Sequence, residues 1–292
     1  MSSKPTTRTI QRATVFTHDR ADETAASIEV LIAAARRAGV ELLFDPEETA
    51  KHGLDGSAIE GVRANAAPGE TTDVCIVLGG DGATLRALRA QAGTDVPVFA
   101  INFGRIGFLA TVDRDELEEG VERAFSGRFD VLPLPALVLD GNSSELFAIN
   151  EISFQRRSHL NMAHLSYSLA GEEVARVPCD GLIAATPAGS TGYNLSVGGP
   201  ILAWGVKGFT VSLIAPHALS ARALVAAPQD PLAVTNDGFD PVDIVVDGMR
   251  TGELGAGKSA EIHFRPDVVG LAQLPGTSFY RRFREKLIQL TS

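Results

Sequence analysis

Five apolar residues, Val74 to Leu78, stop at Gly79-Gly80-Asp81-Gly82, and a helical pattern from Ala83 to Leu88 begins at once. An unbroken apolar run this short predicts a strand buried on both faces, as in a parallel sheet. Upstream, Ala13 to Thr17 predicts a first strand and Val40 to Phe44 a second. Between them Ile28, Leu31, Ile32 and Ala35 share one helical face. Asp22 is placed to cap that helix, which spans Glu23 to Ala38, and Gly39 to stop it. Residues 45–70 are polar and glycine-rich, with room for a short helix. Val98 to Ile101 predicts the fourth strand, and Asp113 with Glu116 predicts a capping box. Strand and helix alternate throughout, which predicts a doubly wound α/β domain over residues 1–128. Its ligands belong at the carboxyl ends of the strands, where both glycine turns, 79–82 and 104–107, fall.

From about residue 130 the period changes to two. Leu137 to Leu139, then Asp140-Gly141-Asn142, then Leu146 to Phe154 predicts a hairpin. Leu165, Tyr167 and Leu169 alternate with Ser166 and Ser168. Further short strands are expected at 172–177, 182–186, 208–215, 231–236, 242–247, 259–265 and 268–273. So many short strands predict a β-rich, sandwich-like domain over 129–277. The tail, 278–292, sets Arg281, Arg282, Arg284 and Lys286 beside Phe283, Leu287 and Ile288. It predicts a basic amphipathic helix that docks back on the first domain.

Composition narrows the function classes. A formal net charge of −10 argues against a general grip on nucleic acid, so any phosphate must be held locally. Cys75 and Cys179 form no CxxC pair, and no disulfide framework is expected, which suits a reducing cytoplasm. The six histidines show no zinc spacing. No apolar run approaches the roughly 18 residues of a membrane span, and Met1 to Pro5 does not open a signal peptide.

Three places carry candidate chemistry. In the 79–82 turn the glycines permit φ > 0 and close approach of a ligand to the backbone. The following helix aims its free N–H groups at the turn, which favours an anion. Asp81 stands inside that turn, either as a solvated turn residue or as a working carboxylate, a base or a metal ligand. Arg86, one helical turn on, is either a phosphate-binding cation or an exposed one. The second place is Asp180-Gly181 through Thr186-Pro187-Ala188-Gly189-Ser190-Thr191-Gly192-Tyr193-Asn194-Leu195-Ser196. It is either a polar loop or a cradle at a helix start, with Tyr193 offering an aromatic face. Between them Asn150-Glu151 interrupts an apolar strand. It is either an exposed strand position or a fork for a ribose diol or an adenine amino group.

With these residues in place, the chain resembles the NAD kinase family. Four blocks match in order: Gly79 to Gly82, Asn102-Phe103-Gly104-Arg105-Ile106-Gly107-Phe108-Leu109, Asn150-Glu151, and Asp180 through Ser196. Pro216-His217-Ala218-Leu219 is similar to a fifth. The resemblance implies phosphorylation of the adenosine ribose 2′-hydroxyl of NAD to NADP, with ATP or polyphosphate as donor and Mg²⁺ or another divalent metal. It puts the catalytic aspartate at Asp81, with Gly82 and Arg86 beside it and Asn102 in the neighbouring turn. Dinucleotide contacts fall on Asn150, Glu151, Asp180, Ala188, Thr191, Gly192, Tyr193, Asn194, Leu195 and Ser196. It also implies a homodimer or homotetramer. Ala83, Ala188 and Met249 depart from the family pattern, at substrate contacts rather than at Asp81. A lipid or sphingoid-base kinase shares the GGDG turn and is the rival enzyme; a non-catalytic dinucleotide sensor is the rival of another class.

Overall fold

The computed structural model describes residues 8–55, 59–67, 69–104, 107–140, 145–157 and 161–286. It comprises two compact units, Met1–Pro133 with Val269–Ser292, and Leu134–Val268. In chain order the first unit runs β1 (Arg12–Thr17), α1 (Ala25–Ala38), β2 (Glu41–Leu43), α2 (Pro46–Lys51), β3 (Val62–Arg63), β4 (Val74–Gly79), α3 (Asp81–Ala90), β5 (Val98–Asn102), β6 (Val112–Asp113) and α4 (Leu117–Phe125). Strands β5, β4, β1, β2 and β3 lie side by side in that order, all parallel. Thr17 pairs with Leu78 and Gly79 with Asn102, so β1, β4 and β5 end level with one another. This register sets the two glycine turns side by side at the carboxyl edge. Every residue of β4 and β5 is buried, as an unbroken apolar run requires. Ile28 and Leu31 of α1 pack on this sheet with Val15, Ile76 and Phe99.

Asp22 does not cap α1. It lies in a short 3-10 turn, Ala21–Glu23, and Thr24 is the N-cap. Gly39 ends the helix at φ 69°, a left-handed stop. Asp45 accepts the Glu48 N–H at 2.8 Å, and Pro46 opens α2, the short helix of the polar stretch. The capping box at Asp113 and Glu116 forms.

The second unit begins within β7 (Asp130–Leu139). It continues through β8 (Leu146–Ala148), β9 (Glu151–Arg156), β10 (Ala163–Leu169), β11 (Glu172–Cys179), β12 (Gly181–Ala185), α5 (Tyr193–Ser196), β13 (Phe209–Ile214), β14 (Leu224–Ala226), β15 (Leu232–Asn236), β16 (Val242–Val246), β17 (Met249–Leu254) and β18 (Ser259–Gln273). One sheet has the order β14-β13-β12-β9-β16-β17, antiparallel throughout. In the other, β11, β10, β15 and the start of β18 pair antiparallel. Phe154, Leu182 and Phe209 from the first sheet share a core with Leu165, Val234 and Ile262 from the second, which makes the sandwich.

The two strands expected at 259–265 and 268–273 are one, continuous through Pro266 and Asp267, the latter at φ 53°. Strands β14 and β17 add to those expected. The hairpin pairs Leu137 with Ala148, but its second arm, expected from Leu146 to Phe154, divides at Ile149-Asn150 into β8 and β9, which lie in different sheets; its turn residues Gly141 and Asn142 lie outside the described residues. The tail forms α6 (Phe279–Lys286), which belongs to the first unit; Leu287 and Ile288 lie outside the described residues. Cys75 and Cys179 are buried free thiols, held protonated by burial.

Candidate active site

The Gly79-Gly80-Asp81-Gly82 turn differs in one respect from its sequence expectation. None of its glycines has positive φ. At Gly79 the constraint is space: a Cβ there would stand 2.6 Å from that of Ala83, whereas one on Gly80 would make only ordinary contact, 3.6 Å from the Gly104 Cα. Gly82 meets nothing within 4 Å and is exposed, so that position is open toward a ligand. Helix α3 starts at Asp81 with Gly80 as N-cap.

Asp81 is half-buried, and its carboxylate is already held. Oδ2 accepts the Phe108 N–H at 2.9 Å and Oδ1 accepts the Leu109 N–H at 3.0 Å. A carboxylate has about four lone-pair sites, so roughly two stay available to a substrate hydroxyl. The loop supplying these amides is braced from both ends. Asn102, 5% exposed, accepts the Gly104 N–H at 2.9 Å and donates to Asp113 at 3.0 Å. Gly107, at φ 63°, sits so close to Asn102 that a Cβ would come within 2.4 Å of its Cγ. Asn102 therefore shapes the loop with both ends of its amide. Arg105 and Ile106, of the same motif, lie outside the described residues.

Arg86 donates to the Thr17 carbonyl at 2.8 Å and pairs with Asp19 at 2.9 Å, so its guanidinium lies at the carboxyl end of β1. Beneath it, Thr17 is fixed by Glu48, which accepts its N–H at 3.0 Å and its hydroxyl at 2.6 Å. Burial raises the Glu48 pKa, but bonds from His52, Lys51 and Thr17 outweigh it and bring the value to about 2, from 4.5. A depressed carboxylate contributes stability above its unfolded pKa and loses it as pH falls through the folded one. Between pH 4.5 and 2 the parent protein should therefore lose stability that Glu48→Gln does not lose. Urea midpoints across that window test this.

In the second unit Asn150 and Glu151 stand at the start of β9. Asp247, at the end of β16, holds them. Its carboxylate accepts the N–H groups of Ile149 at 3.0 Å, Asn150 at 2.8 Å and Glu151 at 3.1 Å. The Asp247 N–H returns a bond to the Glu151 carbonyl at 2.9 Å. Asp247 sits at φ 47°, a conformation that Asp tolerates better than most residues. Two acceptors then remain: Asn150 Oδ1 and Glu151 Oε2 are buried with no hydrogen-bond partner. Burial first, and the Asp247 carboxylate second, push the Glu151 pKa up to about 7, against a bond from the Tyr193 N–H.

The Thr186 to Ser196 segment wraps this pair. The Thr186 N–H donates to the Asn150 carbonyl at 2.9 Å, and its hydroxyl to the Ile149 carbonyl at 2.6 Å. Gly189 passes so close that a Cβ would lie 2.1 Å from the Asn150 carbonyl oxygen. A Cβ on Gly192 would lie 3.2 Å from Glu151 Oε2. Gly192 and Ser196 are exposed, Thr191 and Leu195 half-buried, and Tyr193 is 36% exposed. Ala188 is buried, and its carbonyl accepts the Thr191 hydroxyl at 3.1 Å. Asn194 is fully buried. Its amide donates to the Ser190 and Pro200 carbonyls and accepts from Thr210 and Ser212. It holds the turn together rather than presenting a free polar group. The helix that follows is a single turn, α5. Asp180 lies apart from this cluster, between β11 and β12, in an ion pair with Arg156 at 2.7 Å.

Two further residues bear on the site without a local sequence signal: Asp247, which directly follows β16, and Arg282, one of four cations in the tail.

Two family models match the chain: the ATP-NAD kinase N-terminal domain over residues 9–129 and the ATP-NAD kinase C-terminal domain over 149–265. An NAD kinase of Gemmatimonas aurantiaca is 35% identical over 222 residues, covering 74% of this chain and 77% of the relative. An NAD kinase of Porphyromonas gingivalis is 32% identical, covering 96% of this chain and 98% of the relative. Among solved structures, yeast NADH kinase complexed with NADH matches with a TM-score of 0.85 at 23% identity, covering 100% of this chain and 93% of that one. An NAD kinase from Archaeoglobus fulgidus in complex with ATP matches at 0.74 and 24%, covering 94% and 98%. At such identities these two matches speak for the fold alone.

Proposed function

The chain belongs to the NAD kinase family, and we propose that it transfers a phosphoryl group from ATP to the adenosine ribose 2′-hydroxyl of NAD, giving NADP. The observation that carries this reading is the pair of buried, unpartnered acceptors, Asn150 Oδ1 and Glu151 Oε2. A buried acceptor without a partner costs about 1–3 kcal/mol, so the pair is built for a ligand that brings donors. A ribose diol or an adenine amino group does so; a lipid tail does not. Tyr193, Thr191 and Gly192 stand at the rim of the same cluster, where a ring and its hydroxyls would lie.

In phosphoryl transfer the protein mainly positions groups and stabilises charge. Asp81 orients the reacting hydroxyl and takes its proton as the hydroxyl oxygen bonds to the γ-phosphorus of ATP and the bond from that phosphorus to the β,γ-bridging oxygen breaks, ADP leaving with the electron pair. Arg86 and the open backbone at Gly82 receive the donor phosphates. Among the described residues no group of three His, Cys, Asp or Glu side chains could hold a metal ion. That pattern fits a divalent cation such as Mg²⁺ carried on the donor phosphates better than one caged by protein, since Mg²⁺ keeps waters and phosphate ligands by preference. When bound, it would neutralise charge on the transferring group. No helix among the described residues is long and apolar enough to cross a membrane. A homodimer or homotetramer in the cytoplasm is part of the same reading, and light scattering on the purified chain tests the assembly.

The direct test is NADP formation from NAD and, separately, NADPH from NADH, each with ATP and with polyphosphate. No phosphorylated dinucleotide from any pair, alongside turnover of a sphingoid base, would overturn the reading.

Glu151 adds a pH signature. The ionised form is the better acceptor for a hydroxyl, so NAD affinity should rise as pH is taken from 6 to 8 through the value of about 7. The stability sign is opposite: a raised carboxylate pKa contributes stability below 4.5 and loses it as pH rises through 7. Glu151→Gln should weaken NAD binding at pH 8 by about 1–3 kcal/mol and abolish its pH dependence. Calorimetry at three pH values is the check, and an unchanged slope in the variant would remove Glu151 from the ligand.

A further inference from the structure

We propose that Arg282, on the C-terminal helix α6, positions and electrostatically tunes Asp81 through one shared peptide group. This inference rests on Asp81 acting on the reacting hydroxyl. Arg282 is 8% exposed, a rare burial for a guanidinium. Its Nη1 donates to the Phe108 carbonyl at 3.0 Å and to the Ala110 carbonyl, and its Nη2 donates to Gln273 Oε1 at 3.1 Å. The Phe108 carbonyl and the Leu109 N–H are the two ends of one peptide unit. That N–H is the donor to Asp81 Oδ1 at 3.0 Å. A cation on the carbonyl end polarises the peptide and strengthens its N–H as a donor. The positive charge of Arg282 thus reaches Asp81 without touching it. The second carbonyl tells the same story. Ala110 C=O shares its peptide with the Thr111 N–H, which donates to the Ala100 carbonyl at 2.6 Å and ties the loop to β5.

Burial alone would penalise this guanidinium, and it lowers the Arg282 pKa; Asp81, Asp113 and Glu285 are the charges that oppose it. Asp113 is in turn paired with Lys286, one helical turn after Arg282, at 2.9 Å. A tail that served only to cover apolar surface would not need a buried cation at this point. What it secures is a loop whose amides face Asp81 at fixed distance, and so a carboxylate that stays aimed.

The experiment compares Arg282→Gln with Arg282→Lys in the full-length chain. Gln keeps two amide N–H donors for the carbonyls but no charge; Lys keeps the charge and donors. The expected result is a 10–100-fold fall in kcat for Arg282→Gln, with KM for NAD and for ATP within twofold of the parent, and recovery to within about fivefold for Arg282→Lys. Thermal unfolding of both variants reports folding. Equal losses of kcat in the two variants would overturn the charge relay, as would parent-like kcat in Arg282→Gln. A rise in KM that tracks a loss of melting temperature, with kcat retained, would reduce Arg282 to a structural clamp and also overturn it. If Arg282→Gln does not fold, Arg282→Lys decides alone: parent-like KM and near-parent kcat support the relay, and a kcat loss beyond tenfold refutes it. Asp81→Asn measured alongside separates the premises. Parent-like turnover there refutes the role of Asp81, whereas a dead Asp81→Asn beside an active Arg282→Gln refutes only the relay.

Discussion

Asp81→Asn should lower kcat by roughly 10²–10⁴, the usual reach of general base catalysis, while NAD affinity changes little. The substitution keeps the size of the side chain and removes the charge that receives the hydroxyl proton. Interactions made only in the transition state register in kcat. The geometry adds a cost that the motif alone does not announce. Asp81 accepts two amides, from Phe108 and Leu109. An asparagine offers one oxygen and one NH₂, so one of those amides would face another donor. A stability loss of about 1–2 kcal/mol is therefore expected as well, from one lost bond and its unpaired N–H. The two effects are separable. The melting temperature of the variant reports the second, and kcat at saturating NAD, ATP and Mg²⁺, well below that temperature, reports the first. A turn residue without a chemical role would lose stability and keep kcat within about threefold, less than 1 kcal/mol in the barrier.

That prediction shows where sequence legibility ends. The place of Asp81 was readable, because an apolar run, glycines and a helical pattern in direct succession dictate a strand end followed by a helix start. The reason for the glycines was not. Positive φ is the usual argument for such a turn, but here Gly79 is needed because Ala83 of the next helical turn crowds it. Asp22 carried a capping signal and lost to Thr24, since a 3-10 turn intervenes between β1 and α1. Pro266-Asp267 read as a break between strands, yet the strand absorbs it with one left-handed residue. The edge strand β17, Met-Arg-Thr-Gly-Glu-Leu, is largely exposed and so carries no alternation to read. Hidden most completely were the long-range partners. Arg282 lies 174 residues from Phe108, and Asp247 lies 97 from Asn150. Only the pairing of β16 with β9, Val246 opposite Ile152, brings Asp247 to the Asn-Glu step.

Asp247→Ala should therefore damage the dinucleotide cluster more than any change to a residue that touches ligand there. Three amides, those of Ile149, Asn150 and Glu151, lose a charged acceptor together. Unpaired and partly buried, each costs about 1–3 kcal/mol at full burial. Because these bonds are only part-buried and water can replace some of them, roughly 2–4 kcal/mol of stability is expected to go. Alanine at φ 47° adds strain that aspartate bears more easily. With the Asn-Glu step released, Asn150 Oδ1 and Glu151 Oε2 are no longer aimed together, and NAD affinity should fall by about 10²-fold or more, some 2.7 kcal/mol. Asp247→Asn isolates the charge. Asparagine accepts the left-handed backbone and keeps one oxygen for the Asn150 and Glu151 amides, so most of the stability should return. The negative neighbour of Glu151 is gone, however, and that charge is the second cause of its raised pKa, after burial. The pH at which NAD affinity switches on should then move below about 7. A midpoint that stays at 7 in Asp247→Asn would mean burial alone sets Glu151, and parent-like NAD affinity in Asp247→Ala would mean the wrap of Thr186 and Gly189 holds the step without help.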